Sequence, residues 1–268
     1  MTMTIRVLVS GAGGRMGREV VKAVHSADDM ELVGAVDPFF AGQDAGELAG
    51  LGRLDIAVAG ETESAIQASR PEVVIDFTWA EAVRNNARLV IKAGVHLVIG
   101  TTGLNAEFLE ELDKLARSAG TGVIHAPNFS IGAVLMMRFA KEAARFYPGV
   151  EIIELHHDKK RDAPSGTAIK TAQMIMETWQ RKEEKEVQDE IKLDGARGGD
   201  LGGIHIHSVR LPGLVAHQEV LFGRAGELLK IRHDSLDRAS FMPGVLLAAR
   251  RVKEYKGLVY GLEHLLFQ

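Results

Sequence analysis

Residues Ile5-Arg-Val-Leu-Val-Ser-Gly-Ala-Gly-Gly-Arg-Met-Gly17 decide how this chain is to be read. A short apolar run, Ile5–Ser10, ends in Gly11, Gly13, Gly14 and Gly17, and a helical run continues from Arg18 to His25. Glycines let the backbone turn tightly and approach a pyrophosphate, whose charge is met by amide N–H groups and the positive end of the helix dipole. No cationic side chain is required there, although Arg15 can supply one. The spacing is G-x-G-G-x-x-G, with Met16 where the usual fingerprint has its last glycine. A glycine-rich turn that binds nothing has the same composition. The order of the parts favours a dinucleotide: Asp37 closes the next strand, 20 residues beyond Gly17, where a carboxylate accepts hydrogen bonds from ribose hydroxyls.

Outward from this loop the chain repeats the pattern. Strand-like runs at Glu31–Asp37, Glu72–Asp76, His96–Gly100 and Gly122–Ala126 alternate with helical stretches at Glu19–His25, Ala80–Ala93 and Asn105–Ala119. Strand-helix alternation predicts a parallel sheet, and strands apolar throughout predict helices on both of its faces. The expected fold is α/β, with an N-terminal Rossmann-type doubly wound sheet. Pro38–Gly60, rich in glycine and alanine, reads as a loop near the nucleotide or as a surface excursion, the loop being favoured. Gly100-Thr-Thr-Gly103 and Ala126-Pro-Asn-Phe129 end strands at the carboxyl edge, where open sheets bind ligands. Each is either a plain turn or a contact on the nicotinamide side, and Asn128 can hydrogen-bond a carboxamide. Asp37 repels a 2′-phosphate and is followed by Pro38-Phe39-Phe40 rather than arginine, which favours NADH over NADPH.

From Ile131 the organisation changes to a helix ending near Tyr147-Pro148-Gly149, a strand Val150–Leu155, a helix from about Thr167, and three further strands. Those strands, Gly203–Arg210, Val215–Phe222 and Glu227–Asp234, are joined by Leu-Pro-Gly and Gly-Arg-Ala-Gly turns, which predicts antiparallel pairing. The expected domains are a dinucleotide-binding domain at 1–129, completed by 240–268, and an α+β substrate and oligomerisation domain at 130–239 with a mixed, largely antiparallel sheet. Linkers near 127–130 and 235–240 would form a hinge. The mixed charge run Arg181–Glu190 reads as a solvated helix end or loop.

The second domain carries Glu154-Leu-His-His-Asp-Lys-Lys-Arg-Asp-Ala-Pro-Ser-Gly-Thr-Ala168. Ser165 can cap a helix whose first N–H groups, at Gly166 and Thr167, hold a carboxylate together with the Thr167 hydroxyl. A cap without a ligand is the common alternative; His156, His157, Lys159, Lys160 and Arg161 alongside favour an anion. Neighbours in a strand point to opposite faces, so one of the two histidines faces a substrate. An imidazole, with an unperturbed pKa of about 6.5, suits delivery of a proton when hydride addition leaves negative charge. Lys160 can grip a carboxylate or deliver that proton. The two segments together read as a hydride-transfer enzyme acting on a small dianion.

Other histidines carry less. His205 and His207 share a strand face, as metal ligands do, but no third ligand has matching spacing, so exposed strand histidines and no metal site are expected. His96, His125, His217 and His233 read as structural. Arg224 and Arg238 read as carboxylate contacts or surface ion pairs.

Composition removes several classes. In 268 residues there is no cysteine, which excludes disulfides, thiolate metal sites and thiol nucleophiles and fits a reducing cytoplasm. A formal charge of -4 gives no global pull toward nucleic acid or anionic membranes. No apolar run of about 18 residues appears, and Met1–Arg6 leads into a strand rather than a leader sequence.

Gly11–Gly17, Gly100-Thr-Thr-Gly103, Asn128-Phe-Ser130 and Glu154-Leu-His-His with Lys160 and Asp162-Ala-Pro-Ser-Gly-Thr-Ala168 resemble the 4-hydroxy-tetrahydrodipicolinate (dihydrodipicolinate) reductase family over essentially the whole chain. The resemblance implies reduction of a cyclic, doubly carboxylated imine by NADH or NADPH without a metal, in the diaminopimelate route to lysine, by a cytoplasmic homotetramer. It implies nucleotide contacts at Gly11, Ala12, Gly13, Gly14, Arg15, Met16, Asp37, Gly100, Thr101, Thr102, Ala126, Pro127, Asn128 and Phe129. It also implies that His157, Gly166 and Thr167 hold substrate while His156 and Lys160 donate protons. Asp37-Pro38 stands where other members carry Glu then Arg. Two readings compete: another two-domain NAD(P)-dependent dehydrogenase, such as one acting on an amino-acid semialdehyde, and an NADH-binding redox sensor. The sensor predicts a further DNA-binding or partner module, for which 268 residues leave no space.

Overall fold

A computed structural model describes residues 4–180 and 190–267, so the charged run at 181–190 lies outside the described residues except for Glu190. The chain divides into two units, one made of residues up to Ile131 with those from Arg238 onward, the other of Gly132–Asp237. The first begins with β1 (Ile5–Ser10), α1 (Arg15–His25), β2 (Met30–Val36), α2 (Ala45–Ala49), β3 (Val58–Ala59) and α3 (Thr62–Ser69). It continues with β4 (Val73–Asp76), α4 (Ala80–Lys92), β5 (His96–Ile99), α5 (Ala106–Ala119) and β6 (Gly122–His125). The second holds α6 (Ile131–Ala143), β7 (Gly149–His156), α7 (Gly166–Met176), β8 (Gly199–Leu201), β9 (Ile204–Arg210), β10 (Ala216–Arg224) and β11 (Glu227–Ser235). The chain then rejoins the first unit with α8 (Met242–Arg251), β12 (Gly257–Tyr260) and α9 (Glu263–Leu266).

The sheet of the first unit runs β12-β6-β5-β4-β1-β2-β3, every neighbouring pair parallel. This is the doubly wound, Rossmann-type sheet predicted from the alternation. Its apolar strands lie under helices: Val7–Val9, Val73–Ile75, Leu97–Ile99 and Val123–Ile124 are completely buried. Each such side chain contributes roughly 1.5–3 kcal/mol. On α1, Gly17, Val20, Val21 and Val24 form the buried stripe, at the i, i+3, i+4, i+7 spacing of one helix face. Because β1 has β2 on one side and β4 on the other, winding reverses between β4 and β1, and ligands bind past the carboxyl ends of strands at such a switch point.

Residues 38–60 differ from the favoured loop reading. They contain a 3-10 turn at Pro38–Phe40, the helix α2 and the edge strand β3. Asp44 organises them, its carboxylate accepting the N–H groups of Gly46, Glu47, Leu54 and Ile56 at 2.9–3.1 Å. Elements of five and two residues are too short to show a period, and a side chain does the work of a core.

In the second unit the sheet runs β11-β10-β7-β9-β8, with β7 and β9 parallel and the other pairs antiparallel. The Gly-Arg-Ala-Gly turn makes the expected hairpin, pairing Arg224 with Glu227. The Leu-Pro-Gly turn does not: β9 and β10 are separated by β7. Two strand spacings are about 10 Å, a distance five residues cover easily, and the Leu211 N–H bonds to the His156 carbonyl at 3.1 Å as the chain crosses. Residues from α6 and α7, among them Ala140, Ala172 and Ile175, pack on Ile152, Ile206 and Phe222 of the strands. Among the described residues no helix is long and apolar enough to cross a membrane.

Candidate active site

At the carboxyl edge of the first unit the glycine loop is held from several sides. Gly11 has φ +79°, and a Cβ on it would stand 2.6 Å from the Phe77 carbonyl oxygen; a Cβ on Gly17 would stand 1.9 Å from that of Gly11. Only glycine allows loop and helix to meet so closely. The Gly11 and Ala12 N–H groups donate to the Val36 carbonyl at 2.8 and 3.1 Å, that of Gly13 to Asp37 at 3.0 Å, and that of Gly14 to the Gly11 carbonyl at 3.1 Å. The amides of the glycines therefore shape the loop. The donors without intrahelical acceptors are those of Arg15, Met16 and Gly17, in the first turn of α1. Arg15 is exposed, whereas Arg18 donates to the Gly13 carbonyl at 2.8 Å and lies over the Phe40 ring.

Asp37 is nearly buried, and its other carboxylate oxygen accepts the Phe39 N–H at 3.0 Å, capping the 3-10 turn. It thus fastens β2 to the loop while each oxygen keeps lone pairs for a hydroxyl. This cradle, which side chains at 11, 13 or 17 would fill, fits a dinucleotide.

Sequence reasoning missed Asp76. Completely buried at the end of β4, it accepts hydrogen bonds from Ser10 Oγ (2.8 Å), Asn86 Nδ2 (3.1 Å), Thr78 N–H and Oγ1 (3.0 and 2.7 Å) and Thr101 Oγ1 (3.1 Å). Burial of a carboxyl group is costly unless its acceptors are filled, so these five donors make its place tenable. They also lock the turn Gly100–Thr102, whose Thr101 carbonyl accepts from His125 Nε2 at 3.0 Å. Burial pushes the His125 pKa down, the Thr101 contact opposing it, and because a carbonyl oxygen only accepts, Nε2 carries a proton. Thr102 is exposed, and Gly100 lies under the Phe77 ring, 2.1 Å from where its Cβ would be. Ala126 and Phe129 are buried, Phe129 against Phe77, Pro127 is exposed, and Asn128 Oδ1 accepts the Ser130 N–H at 2.8 Å.

In the second unit the signature stretch converges on Glu154, also completely buried. Its carboxylate takes His156 Nδ1 at 2.5 Å, both terminal nitrogens of Arg210 at 2.7 and 3.0 Å, and the Ser165 N–H at 3.3 Å. Burial alone would raise its pKa, but hydrogen bonds from His156, Arg210 and Ser208 outweigh it and hold the carboxyl at about 2. Glu154 and His156 lie two apart on β7 and so share a face. With Nδ1–H committed to the carboxylate, Nε2 is the nitrogen left for chemistry.

Ser165 caps α7 as predicted, Oγ accepting the Ala168 N–H at 3.2 Å. Beside Gly166, at the first position of α7, the Cβ direction is open space, and the Arg210 guanidinium also donates to the Asp162 carbonyl at 2.8 Å. Lys160 Nζ bonds both oxygens of Asp162 at 2.8 Å, so this cation of the stretch is balanced by an acid of the same stretch. His157, half-buried, gives its carbonyl to the Lys160 N–H at 3.1 Å. Arg210 was invisible to sequence reasoning because its partner is 56 residues away.

The remaining histidines act locally. His207 is not an exposed strand residue, being half-buried with Nε2 2.9 Å from Glu151, and His217 bonds Asp234 at 2.7 Å. Arg224 forms a surface ion pair with Glu227. Among the described residues no cluster of His, Asp and Glu is arranged to hold a metal.

A Rossmann-type sheet with a glycine cradle, joined to a unit bearing a carboxylate-loaded histidine at a capped helix start, defines a two-domain oxidoreductase. Residues 5–129 match the family described as Dihydrodipicolinate reductase, N-terminus, and residues 132–266 match Dihydrodipicolinate reductase, C-terminus. The chain belongs to the dihydrodipicolinate reductase family. It is 53% identical over 99% of its length to all of the 4-hydroxy-tetrahydrodipicolinate reductase of Syntrophomonas wolfei, and 51% identical over 99% of both chains to that of Moorella thermoacetica. It superposes with a TM-score of 0.85, at 46% identity and covering 98% of this chain and 99% of the other, on a dipicolinate-bound dihydrodipicolinate reductase from Paenisporosarcina sp..

Proposed function

We propose that this chain reduces 4-hydroxy-tetrahydrodipicolinate, or the dihydrodipicolinate formed from it, to tetrahydrodipicolinate in the diaminopimelate route to lysine. The observation that carries this reading is the Glu154–His156 pair beside the capped start of α7, within a chain matching reductases of that name from end to end. The dihydronicotinamide of NADH or NADPH supplies the hydride. The first turn of α1 meets the pyrophosphate, Asp37 meets the ribose, and the turns Gly100–Thr102 and Ala126–Phe129 meet the nicotinamide side. The acidic strand end and the Pro38-Phe39-Phe40 that follows it favour NADH.

On the substrate, the N–H groups of Gly166 and Thr167 and the Thr167 hydroxyl hold a carboxylate, with His157 beside them. Lys160, once its exchangeable pair with Asp162 gives way, grips the anion or delivers a proton. His156 holds a proton on Nε2 against the negative charge that develops on the ring, its other nitrogen held by buried Glu154. We further read the enzyme as cytoplasmic and as a homotetramer assembled through the sheet of the second unit.

A spectrophotometric assay with the imine generated in situ tests the reading with both nicotinamides. Oxidation of NADH only when imine is present is expected, and His156→Ala or Lys160→Ala should each cut kcat by roughly 100-fold with NADH affinity unchanged. Binding of NADH without its oxidation would instead identify a sensor, and turnover of semialdehydes alone would identify a different dehydrogenase.

A further inference from the structure

Two large aromatics stand exposed at the carboxyl edge of the first sheet, Phe39 at 76% and Trp79 at 47%. Their rings lie 6.0 Å apart, tilted by 45°. Phe39 follows β2 and Trp79 follows β4, the strands on either side of β1, and both segments touch the glycine loop. A Cβ on Gly13 would stand 2.0 Å from the Phe40 ring, and one on Gly11 would stand 2.6 Å from Phe77 and 3.2 Å from Thr78. The aromatic pair therefore meets across the loop that follows β1, and Phe39 is joined to Asp37 through its own N–H.

Trp79 also breaks a local rule. It occupies the N-cap of α4, where serine, threonine, aspartate or asparagine would satisfy a free N–H, and it makes no side-chain capping bond. A large apolar ring in solvent at a position that asks for an oxygen marks a residue kept for another purpose. Asp37 is acidic and residues 37–52 and 76–83 carry no lysine or arginine, so these two segments offer a phosphate no cation of their own, and their two rings suit a neutral, flat heterocycle. A third ring stacked between two others needs them about 7 Å apart, so at 6.0 Å the pair is a platform rather than a jaw.

We infer that Phe39 and Trp79 form the stacking platform for the adenine ring of the dinucleotide. The inference rests on the reading of the glycine loop as a dinucleotide cradle, and the two can be separated. Calorimetric titration of the full chain uses ADP-ribose, which has adenine and pyrophosphate but no nicotinamide, and reduced nicotinamide mononucleotide, which has no adenine. Trp79→Ser and Phe39→Ala should each weaken ADP-ribose about tenfold while the mononucleotide binds both variants as it binds the wild type. Serine provides the cap oxygen that tryptophan lacks, so Trp79→Ser should melt at the same temperature or higher, which distinguishes lost stacking from lost structure. The chain has two tryptophans, and ADP-ribose should quench emission in the wild type and not in Trp79→Ser. Unchanged ADP-ribose affinity in both variants overturns the platform and leaves the cradle standing. A wild type that binds neither ADP-ribose nor NADH overturns both.

Discussion

Glu154 concentrates the second unit's chemistry in one carboxylate, because the histidine, the arginine and the cap of α7 all reach it. Its folded pKa of about 2 lies below the ordinary 4.5, so the ionised group stabilises the fold above about pH 4.5, and that stabilisation is lost as pH falls toward 2. Unfolding free energies of the wild type from denaturant titration should therefore drop across this interval, while those of Glu154→Gln, already lower at pH 7 by about 3 kcal/mol, should drop less. Equal slopes would show that other carboxylates govern acid unfolding. Asp37 holds both Gly13 and Phe39, and under the proposed function it also meets the ribose. Asp37→Asn should weaken NADH about tenfold and NADPH less, because the charge that repels a 2′-phosphate is gone. Equal losses for the two nicotinamides would reduce the residue to a fastener of the loop. Both residues stand in legible stretches, yet only Asp37 could be given a role from sequence, since its meaning depends on a neighbouring strand end. That of Glu154 depends on Arg210 across a sheet register that local patterns do not encode.

At the scale of elements, the two helix starts offer a contrast in how glycine is used. At α1 the backbone leaves no room, for a Cβ on Gly17 would meet a carbonyl oxygen at 1.9 Å. At α7 the space beside Gly166 is open. Gly17→Ala should cost about 2–3 kcal/mol in a denaturation experiment. Gly166→Ala should leave stability unchanged or raised by less than about 1 kcal/mol, yet raise KM for the imine about tenfold by intruding on the carboxylate site proposed there. An unaltered KM would remove Gly166 from the substrate contacts. The long helices and central strands were legible because period and capping agree, as in α5 with Asn105 at its start and Gly120 at its end. The failures have separate causes. α2 and β3 are five residues or fewer, α3 buries only Thr62, Ala65 and Ile66, too few to mark a period, and the separation of β9 from β10 follows from where β7 lies, not from the Leu-Pro-Gly turn between them.

At the scale of the whole molecule, the chain leaves the first unit at Ile131 and returns to it at Arg238. The returning part is core rather than trimming: Val245, Ala248, Ala249 and Val252 are completely buried, β12 pairs with β6, and the Leu258 N–H donates to Asp113 at 2.8 Å. A fragment of residues 1–131 should accordingly show no cooperative urea transition, whereas the same fragment joined to 238–268 should regain one; cooperative unfolding of the shorter piece would contradict this. The sequence pattern Val245–Val252 announced a helix there but not the strand after it, because Gly257–Tyr260, at the sheet edge with Leu258 and Val259 half-buried and Tyr260 exposed, lacks the fully buried run that marks β4 and β6 at the same length. One consequence reaches into the cell. On the ribosome, the half that is made first must wait with its sheet edge bare until the last residues emerge, while the middle of the chain, born later, can finish ahead of it. Folding order thus inverts synthesis order, and the early half is the one that needs shelter from aggregation.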